Sequence, residues 1–179
     1  MNTATPTRRT WSALTEDQLL AQCEVDTYRA SGPGGQKRNK TSSAVRLRHT
    51  PSGLIVIAEE SRSQYENKAK ALKRLWRALF LQIRDAVPDL TSAITHPDYA
   101  SARDSTDRLH LGAKDVRFWP AVGVVLDVLN AVEAKVSDAA AALGVGTANL
   151  IDFLQTDPKL WQEANRLRAV FGQKPLRSS

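Results

Sequence analysis

The chain has 179 residues, 42% of them hydrophobic, a formal net charge of +6 and a single cysteine, Cys23. That length suits one domain or two small ones, and one cysteine excludes an internal disulfide framework and suits a reducing compartment. No apolar run approaches the ~20 residues that a membrane-crossing helix needs, so a soluble, cytoplasmic protein is expected.

Residues 1–13 hold Arg8, Arg9, several threonines and no acid, and are read as a disordered N-terminus rather than a transit peptide. Thr15 can cap a helix reaching Cys23, with Glu16 and Asp17 in its favourable first turn. Residues 24–30 read as a strand that enters the run SGPGGQKRNKT at 31–41. Two further strands follow at 44–49 and 54–59, with Val45, Leu47, Ile55 and Ile57 at period two, joined by the turn residues Thr50-Pro51-Ser52-Gly53. From 66 to about 85 the apolar set Leu72, Leu75, Trp76, Leu79, Phe80 and Ile83 keeps helical spacing, a stripe able to cover a small sheet.

Residues 87–115, with Pro88, Pro97 and many Ser, Thr and Asp, show no sustained period and read as a linker. Helical spacing returns at Val122, Val125, Leu126 and Leu129. Ser137 can cap a second helix ending at Gly144, Thr147 a third, and Asp157-Pro158 a fourth that closes near Gly172. The expected architecture is therefore α+β: a catalytic domain at 14–86 in which a long helix packs on a small sheet, then an all-helical domain at 116–175. Residues 139–154 look like a helix-turn-helix whose outward positions would be Ala148, Asn149, Asp152 and Gln155, without a cation for duplex DNA.

Charge locates a polyanion partner. Residues 24–86 carry a net +7, whereas 1–23 carry 0 and 87–179 carry −1. The whole positive excess therefore lies in the first part, which should bind RNA in a salt-dependent way through counterion release. The three histidines, His49, His96 and His110, lack ligand spacing with each other or with Cys23, so neither a metal nor a cofactor is expected.

The chemistry centres on Gly34-Gly35-Gln36. Glycines without Cβ let the backbone approach a ligand closely, and Pro33 stiffens the entry. Gln36 adds a side chain with two donors and one acceptor. Lys37, Arg38, Asn39 and Lys40 follow as RNA-facing candidates, with no carboxylate among them. This run, followed by Asn39-Lys40-Thr41, the Val45/Leu47 strand, Pro51-Ser52-Gly53, Glu60-Ser61-Arg62-Ser63-Gln64 and Asn67-Lys68-Ala69-Lys70-Ala71, resembles the catalytic domain of class I peptide chain release factors. It is similar as well to their shorter relatives, the codon-independent peptidyl-tRNA hydrolases that rescue stalled ribosomes. The resemblance spans about 24–86.

The resemblance implies a site in which the Gln36 backbone amide meets the oxyanion of the ester carbonyl in the peptidyl transferase centre, with Gly34 and Gly35 permitting the approach. It implies ribosomal RNA and peptidyl-tRNA as partners and a glutamine methyltransferase able to act on Gln36; a monomer is expected. Arg62, Lys68, Lys70, Lys73 and Arg74 join the RNA-binding set. The stretch before Glu24 leaves no room for the extra domains of codon-reading factors, and only Lys174 and Arg177 mark the end where rescue hydrolases carry a basic tail, so the helical domain is expected to sense the stall. Two other readings stand beside this one: a non-catalytic ribosomal RNA-binding factor, and a DNA-binding regulator acting through the helical domain.

Overall fold

The computed structural model describes residues 7–28 and 43–177. The chain divides into two compact units, Met1–Leu79 and Phe80–Ser179.

In the first unit, α1 (Arg8–Ser12) and α2 (Glu16–Ala21) precede the sheet. Thr15 caps α2 as expected and does so reciprocally: its Oγ accepts from the Gln18 amide at 3.2 Å and its own amide donates to Gln18 Oε1 at 3.0 Å, a capping box that satisfies two otherwise orphaned donors. Strands β1 (Cys23–Tyr28), β2 (Ala44–His49) and β3 (Ile55–Ala58) form an antiparallel sheet in the order β1-β2-β3. Gly53 takes φ +71° in the β2–β3 turn, a left-handed conformation that disfavours a Cβ.

The register pairs Leu47 with Val25 on one side and Val56 on the other. Val45, Leu47 and Ala58 are thereby buried with Ala71 and Leu72 of the following helix, α3 (Gln64–Gln82). Ile55 and Ile57, which keep period two as Val45 and Leu47 do, lie on the other face of the sheet and are 56% and 41% exposed. Residues 54–57 are apolar at every position, so alternation alone could not choose a face. The hairpin register chose it, placing Val56 opposite Leu47.

The N-terminal expectation also changes. Residues 7–13 are not disordered: Trp11 is buried, its ring meets the buried His49 edge-on at 5.2 Å, and Trp76 Nε1 donates to the Ser12 carbonyl at 3.2 Å. Residues 1–6 lie outside the described residues. A short polar run with one tryptophan has no period, and only tertiary packing defines it.

The second unit is built on α5 (Phe118–Ala131), whose Val122, Val125, Leu126 and Leu129 are essentially fully buried. Helices α6 (Val136–Leu143), α7 (Thr147–Gln155) and α8 (Pro158–Val170) follow in succession. Residues 87–115 are not a linker but part of this unit. They contain a 3-10 helix at Leu90–Thr95 and α4 (Pro97–Ala100). Tyr99 is fully buried and its hydroxyl donates to the Leu143 carbonyl at 2.7 Å. The segment is anchored by isolated residues, Ala93, Tyr99, Ala102, Leu109 and Leu111, too irregularly spaced to leave a period.

Two helix starts differ from expectation. The N-cap of α6 is Lys135 rather than Ser137, and that of α7 is Gly146 rather than Thr147, neither with a side-chain cap. Asp157 does cap α8, accepting from the Lys159 and Leu160 amides at 2.8 and 3.2 Å. Gly144 ends α6 at φ +65°, where an added Cβ would stand 3.1 Å from Ile94 Cδ1. Asn149, expected on the outward side of α7, is buried: it accepts from the Leu109 amide and donates to the Leu109 carbonyl, both at 2.9 Å.

One charged cluster lies inside this unit. Arg84 donates to Glu163 at 3.2 Å and lies 3.8 Å from Asp127, all three largely buried; Asp127 also accepts from the Asp85 amide at 3.0 Å.

Candidate functional site

Gly34, Gly35 and Gln36, with Lys37, Arg38, Asn39 and Lys40, lie outside the described residues. What the structure describes is the frame that bears them. Tyr28, the last residue of β1, pairs across the ladder with Ala44, the first of β2. Directly opposed residues in an antiparallel pair stand about 5 Å apart, so the segment carrying the triplet leaves and rejoins the sheet at neighbouring points.

Its return is fastened by Asn67. This fully buried side chain donates from Nδ2 to the Ser43 carbonyl at 2.6 Å and to the Ser61 carbonyl at 2.8 Å, and accepts the Ser61 amide on Oδ1 at 3.0 Å. One amide thus ties the start of β2, the β3–α3 connection and the first turn of α3 together. Ser61 Oγ in turn donates to Glu66 at 2.5 Å and accepts the Ser63 amide at 3.0 Å. Sequence reasoning quoted Asn67 without giving it a role. The available signal was its place on the buried stripe, four residues before Ala71 and eight before Leu75, where a polar side chain must find partners.

The cations expected to face RNA separate into two groups. Arg74 is half-buried and committed to the fold, donating from Nη1 to the Ile57 carbonyl and from Nη2 to Glu60; that hydrogen bond holds the Glu60 carboxyl below its ordinary range. Arg62, Lys70 and Lys73 are exposed and Lys68 is half-buried. Lys70 and Lys73 share the outer stripe of α3 with Glu66 and Arg77, at the i, i+4, i+7, i+11 spacing of one helix face. The opposite face of the sheet is electrically cancelled instead: Asp26 pairs with Arg46 at 2.6 Å and Glu24 with Arg48 at 3.7 Å.

Cys23 gives its thiol proton to the Leu19 carbonyl at 3.2 Å, and burial pushes its pKa up to about 11, so it is a neutral thiol near pH 7. Among the described residues no three His, Cys, Asp or Glu side chains are grouped to hold a metal, and no helix is long and apolar enough to cross a membrane.

A family model described as the RF-1 domain matches residues 18–107, just over half of the chain. The chain belongs to the RF-1 domain family. It is similar to peptide chain release factor 1 of Solidesulfovibrio magneticus, 56% identical over 62 residues that make up 35% of this chain and 17% of that protein. It is similar also to the factors of the same name from Magnetococcus marinus, 42% identical over 85 residues, and Gluconacetobacter diazotrophicus, 44% identical over 85 residues; in each, 48% of this chain is covered. The chain spans only 17% to 24% of the length of these relatives. The RF-1 match begins before Glu24 and runs past Ala86 to residue 107, so it includes the Tyr99 anchor of the second unit as well as the whole sheet.

Proposed function

We propose that this chain hydrolyses the ester between nascent peptide and tRNA on the ribosome, independently of a stop codon, and so releases peptides from stalled ribosomes. The observation that carries the reading is membership of the RF-1 family together with a Gly34-Gly35-Gln36 triplet set between the paired strand ends Tyr28 and Ala44. The chemistry asks little of charged side chains. An oxyanion develops at the ester carbonyl as water attacks, and a backbone N–H placed to meet it lowers the barrier; the Gln36 amide is that donor, and its side chain orders or excludes water. Ribosomal RNA and peptidyl-tRNA are the partners, and Gln36 is the residue a methyltransferase would modify. The 31–71 motifs are shared by class I release factors and rescue hydrolases, and the codon-independent form is the part of the proposal that the release experiment below decides.

The cationic side of α3 supports an RNA-facing orientation for the first unit, with Arg62, Lys68, Lys70 and Lys73 in contact and Arg74 holding the scaffold behind them. Duplex DNA recognition by the second unit has no comparable support. The exposed positions of α7, Thr147, Ala148 and Asp152, carry no cation, and Asn149 is spent on Leu109.

The deciding experiment is peptide release from ribosomes stalled on messenger lacking a stop codon. Wild-type protein should release and Gln36→Pro, which lacks the N–H, should bind but fall about 10²- to 10³-fold in rate. Equal release by the two would leave a non-catalytic RNA-binding factor, and release only with a stop codon in place would overturn the codon-independent form.

A further inference from the structure

The chain has three tyrosines, and two of them serve the fold. Tyr99 is fully buried with its hydroxyl on the Leu143 carbonyl at 2.7 Å, and Tyr28 is half-buried with its hydroxyl 3.5 Å from Glu59. Tyr65 is different. It sits in the first turn of α3, is 83% exposed, and its hydroxyl has no partner among the described residues. A single exposed aromatic is ordinary on a protein surface; its company distinguishes this one. Arg62 precedes it by three residues and Lys68 follows by three, while Lys70 and Lys73 continue along the helix; none of the four has an ion-pair partner among the described residues. Glu60 is paired with Arg74, and Glu66, which accepts from Ser61 Oγ, keeps its charge, so residues 62–73 carry four cations against one carboxylate.

We propose that Tyr65 is a stacking platform for an unpaired RNA base, with Arg62 and Lys68, three positions to either side, holding the flanking phosphates. A flat, accessible ring beside uncompensated cations is the combination that grips single-stranded nucleic acid, because every base offers a π-face and every linkage a phosphate. A duplex hides its base faces, and RNA is read mainly where bases are splayed out. The ligand is thus a single-stranded stretch or a flipped base. The inference rests on the RNA-facing reading of the first unit given above.

The test uses the full chain and a fluorescent oligoadenylate of about ten nucleotides, compared with a duplex RNA of equal length, by anisotropy. Tyr65→Ala should weaken single-strand binding about tenfold, leaving duplex binding and the salt slope unchanged. Tyr65→Phe should bind close to wild type, since stacking needs the ring and not the hydroxyl. Thermal melts of both variants should match wild type, because the side chain is exposed. Wild-type affinity for Tyr65→Ala, or an equal loss in Tyr65→Phe, overturns the proposal. A Lys70→Glu, Lys73→Glu double variant separates the two readings: if it loses affinity and salt dependence while Tyr65→Ala is silent, stacking falls and the RNA surface stands. If neither variant changes binding, the RNA-facing reading falls with it.

Discussion

The two units use their polar residues in opposite ways. In the second, charge is turned inward: Arg84, Asp127 and Glu163 meet largely out of water, and Asn149 spends its whole amide on the Leu109 backbone. The first turns Lys70 and Lys73 outward on α3, and its buried polar groups include Arg8 as well as Asn67 and His49, the latter two near the connections of a thin sheet. An inward network fixes a shape; an outward one leaves charge available to a polyanion. The difference teaches that like residues serve packing in one unit and stay open to solvent in the other: Arg84 is spent on Asp127 and Glu163, whereas Lys70 and Lys73 are exposed.

The largest effect that could break this contrast is expected at Arg84. Arg84→Ala removes the guanidinium between Asp127 and Glu163, and breaking a buried ion pair from one side costs about 3–5 kcal/mol. The melting midpoint should then fall by about 10 °C. An unchanged midpoint in calorimetry would mean that the inward network does not hold the unit. Asn67→Ala is expected to follow closely, since it strands the Ser61 amide and two carbonyls; an unsatisfied buried group costs about 1–3 kcal/mol. Release of peptide should fall in step, and Asn67→Asp, which keeps the acceptor and loses both donors, should recover only part of either.

Outward charge should show itself in salt rather than in stability. Reversing Lys70 and Lys73 to Glu should leave thermal melts almost unmoved and weaken ribosome binding, with a visibly shallower dependence on salt in a filter titration. A steep slope retained by the double variant would place the contact surface elsewhere.

The smallest effect belongs to His49, buried against Trp11 with Nδ1 at 2.7 Å from Ser52 Oγ and Nε2 at 3.0 Å from Gln22 Oε1. Burial lowers its pKa, so the unfolded chain binds the proton more readily. Its contribution to stability is full above the ordinary histidine value of about 6.5, and is lost as pH falls from there toward the lower folded value. His49→Gln should flatten this part of the pH–stability curve. An identical curve for the variant would assign the acid sensitivity to other groups.

Much of the first unit could be read from the chain. The Thr15 cap, the Gly53 turn and the long α3 stripe are local signals, and local signals survive in a sequence. The facing of Ile55 and Ile57 was not legible, because four consecutive apolar residues fit either register. Residues 87–115 misled for a related reason: Tyr99 and Leu109 are placed by partners more than forty positions away in sequence or nearly so, Leu143 and Asn149, and nothing periodic announces such anchors. The triplet Gly34-Gly35-Gln36 stood out in the sequence, yet Asn67, which fastens the start of β2, was visible only once Ser43 and Ser61 came within reach of one side chain.

The pairing of Tyr28 with Ala44 has a consequence for how such a protein can change over generations. Alignment of the strands is dictated by the burial of Val45, Leu47 and His49 and by the hairpin on the far side, none of which depends on the length of the segment between 28 and 44. Doubling such a segment costs only about 0.6 kcal/mol in closure entropy. By this measure a change of length there costs the scaffold little stability, and what restrains it is the placement that the triplet's chemistry requires.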